Sequence, residues 1–343
     1  MGVRDPRVWL GVAITAFFLW LALRDVSFGE VAAAIGQADW VVLIGMSVPP
    51  YLLSVYSRAL RWRHLTDPVQ RIPVGALSRA VAVGAMANNL FPLRMGEVVR
   101  SWYLARETGA STAALFGTVI LERVVDAVAV IALALGSLAI LGADRGGIMA
   151  RGALALAPVA LAPVVALGAL RLAPERTIAL ARWTLRPFPG RFAAAIEHHL
   201  RRFSLGLGAL SGGSHLFWIA FHSVVIWLVW SPLPFVAGFL ALDLEFGSAG
   251  EMVLASWVTL AAIGIAVSLP SAPGFFGPYQ WACKLALESF GVDEASAVAL
   301  GILFNSVFWV TLTALGLAVL RWRRTSLAEI GVAAERPGGG DPA

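Results

Sequence analysis

The sequence predicts an all-α polytopic membrane protein with about seven membrane spans and two re-entrant broken-helix hairpins, related as an inverted repeat. Three observations carry this. Hydrophobic residues make up 59% of the 343 and charged ones only 14%, against about 25% charged in a soluble chain, so a water-facing surface cannot be built. The apolar residues fall into blocks near the roughly 20 that a helix needs to cross about 30 Å of hydrocarbon. Two of the apolar stretches are broken in the middle by Pro, Gly and Asn. Residues 1–325 read as one integral membrane domain, and 326–343 as a short disordered cytoplasmic tail rich in Pro and Gly.

In chain order, the first apolar block is 8–23. It is long for the core of a signal peptide and precedes a chain that is itself membranous, so it reads as a retained first helix. Further spans are expected at 40–55, 112–141, 148–172, 216–240, 251–269 and 295–320. The connections differ in charge. Arg58, Arg61, Arg63 and Arg71 face only Asp67 across 58–71, six arginines crowd 174–202, and Arg321, Arg323 and Arg324 follow the last span. By contrast 24–39 carries Asp25, Glu30 and Asp39, and Asp243, Glu245 and Glu251 precede the 251–269 block. Arginine-rich loops stay inside, which places them and both termini in the cytoplasm and the protein in the inner membrane.

That orientation forces the hairpins. The chain is inside at Arg71 and must be inside again at Arg106, so 74–106 enters and returns, breaking near Asn88, Asn89 and Pro92. Equally, 251–293 enters from outside, breaks near Pro270, Pro273 and Gly274, and returns. Irregular backbone at membrane depth is tolerated only where protein or water shields it. Pro92 to Gly96 and Pro273 to Gly277 share the spacing P-x-x-x-G, each followed by a short helix, a glycine (Gly109, Gly291) and a small-residue start to a long span. Paired interrupted segments entering from opposite faces mark the site of transporters built on inverted repeats.

The residues with chemistry cluster around the first break. Glu122, Arg123 and Asp126 interrupt the 112–141 block about 15 Å along its axis, near mid-membrane. Each costs about 2.5–3.5 kcal/mol there on insertion scales. Arg94, Glu97 and Arg100 follow the break at i,i+3 spacing, and arginine's planar fork suits phosphate or carboxylate. Three arginines against three acids either satisfy one another and lock helices together or bind a head group carrying phosphate and amine. Asn89, Gln280 and Asn305 are polar groups for the cavity wall or for helix–helix glue. Arg58, Arg61 and Trp62 form a basic, aromatic juxtamembrane patch suited to lipid head groups or to topology anchoring.

Other classes are excluded. The net charge of +5 sits in loops rather than in a stripe, so nucleic acid is not a partner. Cys283 is alone, giving no disulfide or thiolate site. There is no G-x-x-x-x-G-K-[ST] loop and no H-E-x-x-H pair; His215 and His222 read as packing residues. No catalytic residue, metal or cofactor is implied.

The string from Asn88 through Pro92, Arg94, Gly96, Glu97 and Arg100 to Glu122, Arg123 and Asp126 resembles the lysylphosphatidylglycerol synthase transmembrane (flippase-like) family over about residues 8–325. Arg58-Ala59-Leu60-Arg61-Trp62 and Pro273-Gly274-Phe275-Phe276-Gly277 are also similar to its motifs. The resemblance implies a lipid flippase or scramblase moving a phospholipid or polyprenyl-linked lipid across the inner membrane. Arg94, Arg100 and Arg123 would hold phosphate, and Glu97, Glu122 and Asp126 an amine. The alternative is a membrane-embedded enzyme or accessory subunit of lipid-linked glycan or aminoacyl-lipid synthesis. Membrane lipids are the expected partners, with a homo-oligomer or a partner enzyme of lipid biosynthesis left open. Two departures stand out. No soluble aminoacyl-transferase segment follows, so the chain is not expected to make lysylphosphatidylglycerol, and Gln280 stands where many members carry Glu.

Overall fold

The computed structural model describes residues 6–91, 95–142, 172–186, 213–268 and 272–335, with single positions between 162 and 197. Every regular element among them is helical. Five helices are long and apolar enough to span a membrane, Trp40–Thr66, Thr112–Leu141, Gly213–Ala241, Ala249–Ala266 and Glu294–Arg323. A sixth crossing forms if Gly11–Leu23 and Phe28–Gln37, bent by 84°, count as one. The expected seven thus become five or six among the described residues, and 148–172 lies largely outside them.

Helix α1 (Pro6–Leu23) leads into α2 (Phe28–Gln37), so 24–39 is not a plain loop. Helix α3 (Trp40–Thr66) starts where the Asp39 carboxylate accepts from the Val41 and Val42 amides, satisfying two of the free N–H groups of a first turn. It does not end with its apolar block at 55: Arg58, Arg61 and Arg63 are helical, a correction to the arginine loop expected there.

Two similar units follow. Helices α4 (Val74–Leu90), α5 (Gly96–Thr108) and α6 (Thr112–Leu141) contain 17, 13 and 30 residues. Beyond α7 (Pro174–Thr184), α8 (Gly213–Val224) and α9 (Leu233–Ala241), helices α10 (Ala249–Ala266), α11 (Pro278–Glu288) and α12 (Glu294–Arg323) contain 18, 11 and 30. Gly109 and Gly291 turn the corners with φ of 71° and 74°, conformations that favour glycine. Ser111 and Asp293 cap the helices that follow.

The first break holds because Asn88 Oδ1 accepts from the Gly96 amide at 2.8 Å. Pairing of Arg79 with Glu107, and of Gly84 with Arg100, makes α4 and α5 an antiparallel hairpin. Pro92 and Arg94 lie outside the described residues, as does Pro270. The second break is a short turn at Pro273–Phe275, with Gly274 and Gly277 at φ of 81° and 91°. Helix α1 braces it, Thr15 Oγ1 accepting from the Ala272 amide at 3.0 Å.

The units run in opposite directions. Met86 packs on Gly316, while Asn89 Nδ2 donates to the Trp309 carbonyl and to Thr313, both at 3.1 Å. Helix α4 is therefore antiparallel to α12, and the repeat is inverted. The expected disordered tail is corrected over Leu327–Glu335, which form helix α13 against α5 with Ile330 buried.

Candidate functional site

A cavity of about 720 Å³ lies between the two units. Helices α3, α5 and α6 give it a charged end with Arg58, Glu97, Arg100, Arg123 and Asp126. Val130, Ile131 and Ala134 of α6 and Leu260 and Ile263 of α10 make an apolar wall, and Tyr51, Trp227, Tyr279 and Trp309 contribute aromatic edges.

The charged end is built from helix spacings. Glu122 and Asp126, one turn apart on α6, face Arg58 and Arg61, one turn apart on α3. Glu122 is fully buried and accepts from Arg61 (3.2 Å), Arg123 (3.1 Å) and Arg100. Asp126 accepts from Arg61 (2.7 Å), Arg123 (2.9 Å), Arg58 (3.3 Å) and the Trp227 indole (3.1 Å). Arg61 also donates to Ser223 at 3.1 Å, Arg100 lies 4.4 Å above the Trp62 ring, and that indole donates to Thr118 at 2.9 Å. Burying this many charges is costly unless each is paired and hydrogen-bonded. Here the pairing is nearly complete but not balanced: among the described residues four arginines meet Glu97, Glu122 and Asp126. The side chains of Arg58 and Arg123 remain 22% and 39% exposed, and both line the cavity. The cluster therefore offers a surplus of cationic donors to an anion.

The expected residues separate into groups. Glu97, Arg100, Glu122, Arg123 and Asp126 come together as anticipated from their spacing. Arg58, Arg61 and Trp62 were expected to form a juxtamembrane patch for lipid head groups or topology anchoring, and this is corrected for Arg61 and Trp62. Arg61 and Trp62 are fully buried, because the carboxylates of α6 make burial of Arg61 affordable and Trp62 covers Arg100. Asn89 ties α4 to α12. Asn305 lines the cavity, and its buried Nδ2 has no hydrogen-bond partner. Gln280 is corrected as well: it does not line the cavity. Its Oε1 accepts from the Gly277 amide at 2.7 Å and its Nε2 donates to the Gly301 carbonyl at 3.3 Å. The amide supplies both an acceptor and a donor, where an ionised glutamate would lack the donor. Trp227 and Tyr51, which also line the cavity, were not singled out. The i,i+3 arginines at the end of an apolar block were the one available sign that α3 joins the cluster.

Fold and site define a multi-pass helical membrane protein with two broken-helix hairpins around a charged cavity. The model of the family described as "Lysylphosphatidylglycerol synthase TM region" matches residues 8–316, and the chain belongs to that family. It is similar to the protein named "Glycosyltransferase AglD" of Haloferax volcanii, 26% identical over 329 residues, covering 89% of this chain and 52% of that protein. The chain thus spans about half the length of that relative. No solved structure matches it.

Proposed function

We propose that this protein moves a lipid with a phosphate-bearing head group between the leaflets of the membrane, as a flippase or scramblase. The observation that carries the reading is the cavity's two-sided character. Surplus guanidinium groups, Arg58 and Arg123, face the same space as an apolar wall from α6 and α10. Arginine holds phosphate through two parallel hydrogen bonds, and the apolar side accommodates the start of the acyl or isoprenoid tails. Arg61 and Arg100 share Glu122 and Asp126 with Arg58 and Arg123, so four guanidinium groups divide three carboxylates and the cluster keeps a net positive charge. Glu97 and Asn305 are placed to meet an amine or hydroxyl on the head group. The family's name points to a phospholipid, and because the relative is named a glycosyltransferase we add a sugar-bearing head group as a second class to compare.

The test is leaflet exchange in reconstituted vesicles, with fluorescent phosphatidylglycerol and a polyprenyl phosphate compared with a neutral diacylglycerol. Wild type should accelerate exchange of the phosphate lipids. Arg58→Gln should slow it about ten- to hundredfold, the loss of about 1.5–3 kcal/mol expected for a hydrogen bond to a charged group. Exchange no faster than in protein-free vesicles for every lipid would overturn the reading. The relative's name favours a second reading, a membrane-embedded enzyme of lipid-linked glycan synthesis. Turnover of lipid in detergent, where no leaflets exist, would establish that one instead.

A further inference from the structure

A second polar cluster lies outside the cavity, where the last turn of α3 meets the first turn of α8. The two helices are antiparallel here, since Arg61 reaches Ser223, and His64 packs on Trp218, His222 and His215. His64 and Asp67 are spaced i,i+3 and share a face. One nitrogen from His64, one from His215 and a carboxylate oxygen of Asp67 all lie within 4.8 Å of one another.

A second observation on the same residues makes this more than a packing contact. His215 Nδ1 and Asp67 Oδ1 are both shut off from solvent, and neither has a hydrogen-bond partner. Polar atoms in that condition are rare in folded proteins and call for an explanation, an ion among them. A carboxylate oxygen is only an acceptor and an imidazole nitrogen can present a lone pair, so a cation satisfies both at once.

We propose that His64, Asp67 and His215 bind a divalent transition-metal ion of the zinc class. Two imidazoles and one carboxylate match the ligand types of zinc, cobalt and nickel, and are too nitrogen-rich for calcium or magnesium. Metal–ligand bonds of about 2.0–2.2 Å place tetrahedral ligands about 3.4 Å apart, so side-chain rotations alone bring the three groups into range. His222 is excluded from this set: it lies seven residues from His215, about 10.5 Å along the helix, and stacks on His64 instead. The ion would clip α8 to α3 one turn beyond Arg61, independently of what the cavity carries.

The test uses full-length protein purified without a polyhistidine tag, in a His198→Ala, His199→Ala background to remove the histidines outside the described residues. After chelator treatment it is titrated with Co2+ and Zn2+. One Co2+ per chain should bind with visible ligand-field absorption, and Zn2+ should displace it. His215→Ala and Asp67→Asn should each weaken binding at least tenfold, while His222→Ala leaves it unchanged. Zn2+ should raise the melting temperature of the background protein and not of His215→Ala, because only binding to the native state stabilises. Absence of a cobalt spectrum in the background protein would overturn the site. Binding of equal strength in a monodisperse His215→Ala protein would do the same, showing an adventitious ion only.

Discussion

Glu122 is the most deeply buried acid of the cluster, and three guanidinium groups converge on it without access to solvent. Glu122→Gln keeps the shape and removes the charge, leaving Arg61, Arg100 and Arg123 to share Asp126 and Glu97. Taking one partner from a buried pair costs about 3–5 kcal/mol, so the apparent unfolding free energy in detergent should fall by about that much. Arg58→Gln removes a cation from the surplus side. Asp126 keeps Arg61 and Arg123 as partners, and stability should change by about 1 kcal/mol or less, as for a partly exposed pair. Denaturation of the two variants side by side checks the order, and a larger loss for Arg58→Gln would contradict the arrangement. The contrast also separates roles: Glu122 holds helices together, whereas Arg58, on a single long contact with Asp126 and facing the cavity, is the group proposed to serve a ligand.

The α4–α5 hairpin depends on close backbone approach. A methyl group on Gly84 would lie 2.7 Å from Arg100 Cβ and 2.8 Å from the Gly96 carbonyl. Gly84→Ala should therefore force the hairpin apart at about 1–3 kcal/mol, the usual cost of overpacking, and should displace Arg100 from Glu122. Gly136→Ala on α6, with nothing within 4 Å, should be tolerated. Thermal unfolding of both variants tests this. Helix α13 docks through two contacts of unequal worth. The buried Ile330 contributes about 1.5–3 kcal/mol, and the solvent-facing Arg106–Glu329 pair about 0–1 kcal/mol. The Arg106 guanidinium, helped by Ser326, holds the Glu329 carboxyl below its usual 4.5. A depressed carboxylate stabilises the docked state fully above that value and loses its effect as pH falls through the lower, docked value. A spin label at the exposed Leu327 should therefore gain some mobility on acidification through the lowered Glu329 carboxyl value. It should gain much more in Ile330→Ala at neutral pH. The reverse order would show that charge, not apolar burial, docks the helix.

At the scale of the molecule, charge is segregated. Arg79 lies over Trp322 and Arg323 pairs with Glu107, gathering the ends of α4, α5 and α12 on one arginine-rich face. Lys284 pairs with Glu294 and approaches Asp25, while the Asp39 amide donates to the Ala241 carbonyl, gathering acidic loops on the other. With the two units inverted, Arg106 and Asp293 belong to opposite faces. Single cysteines at these positions should react with an impermeant maleimide from opposite sides of the membrane, and the native Cys283 is buried. The positive-inside effect further leads us to expect labelling of position 106 from the cytoplasmic side. Labelling of both positions from one side would refute the inverted arrangement.

How much of this was legible in the chain follows from what hydropathy measures. Blocks of apolar residues and their Pro and Gly interruptions report the cost of placing each residue in lipid. That was enough for the helical membrane class, both hairpins and the presence of Glu122, Arg123 and Asp126 as a charged group within an apolar helix. It could not show that α3 continues past 55, because Arg61 is buried by virtue of Glu122 and Asp126, 61 and 65 residues away. Partner and solvent compete for a charge, and a window along one segment sees only the solvent. The same holds for Gln280, whose amide is spent on a break and a neighbouring helix, and for Ile330, buried only because α5 is there to cover it. Local composition determined where the chain meets lipid. Long-range pairing, visible only in three dimensions, decided which charged groups are structural and which face the cavity.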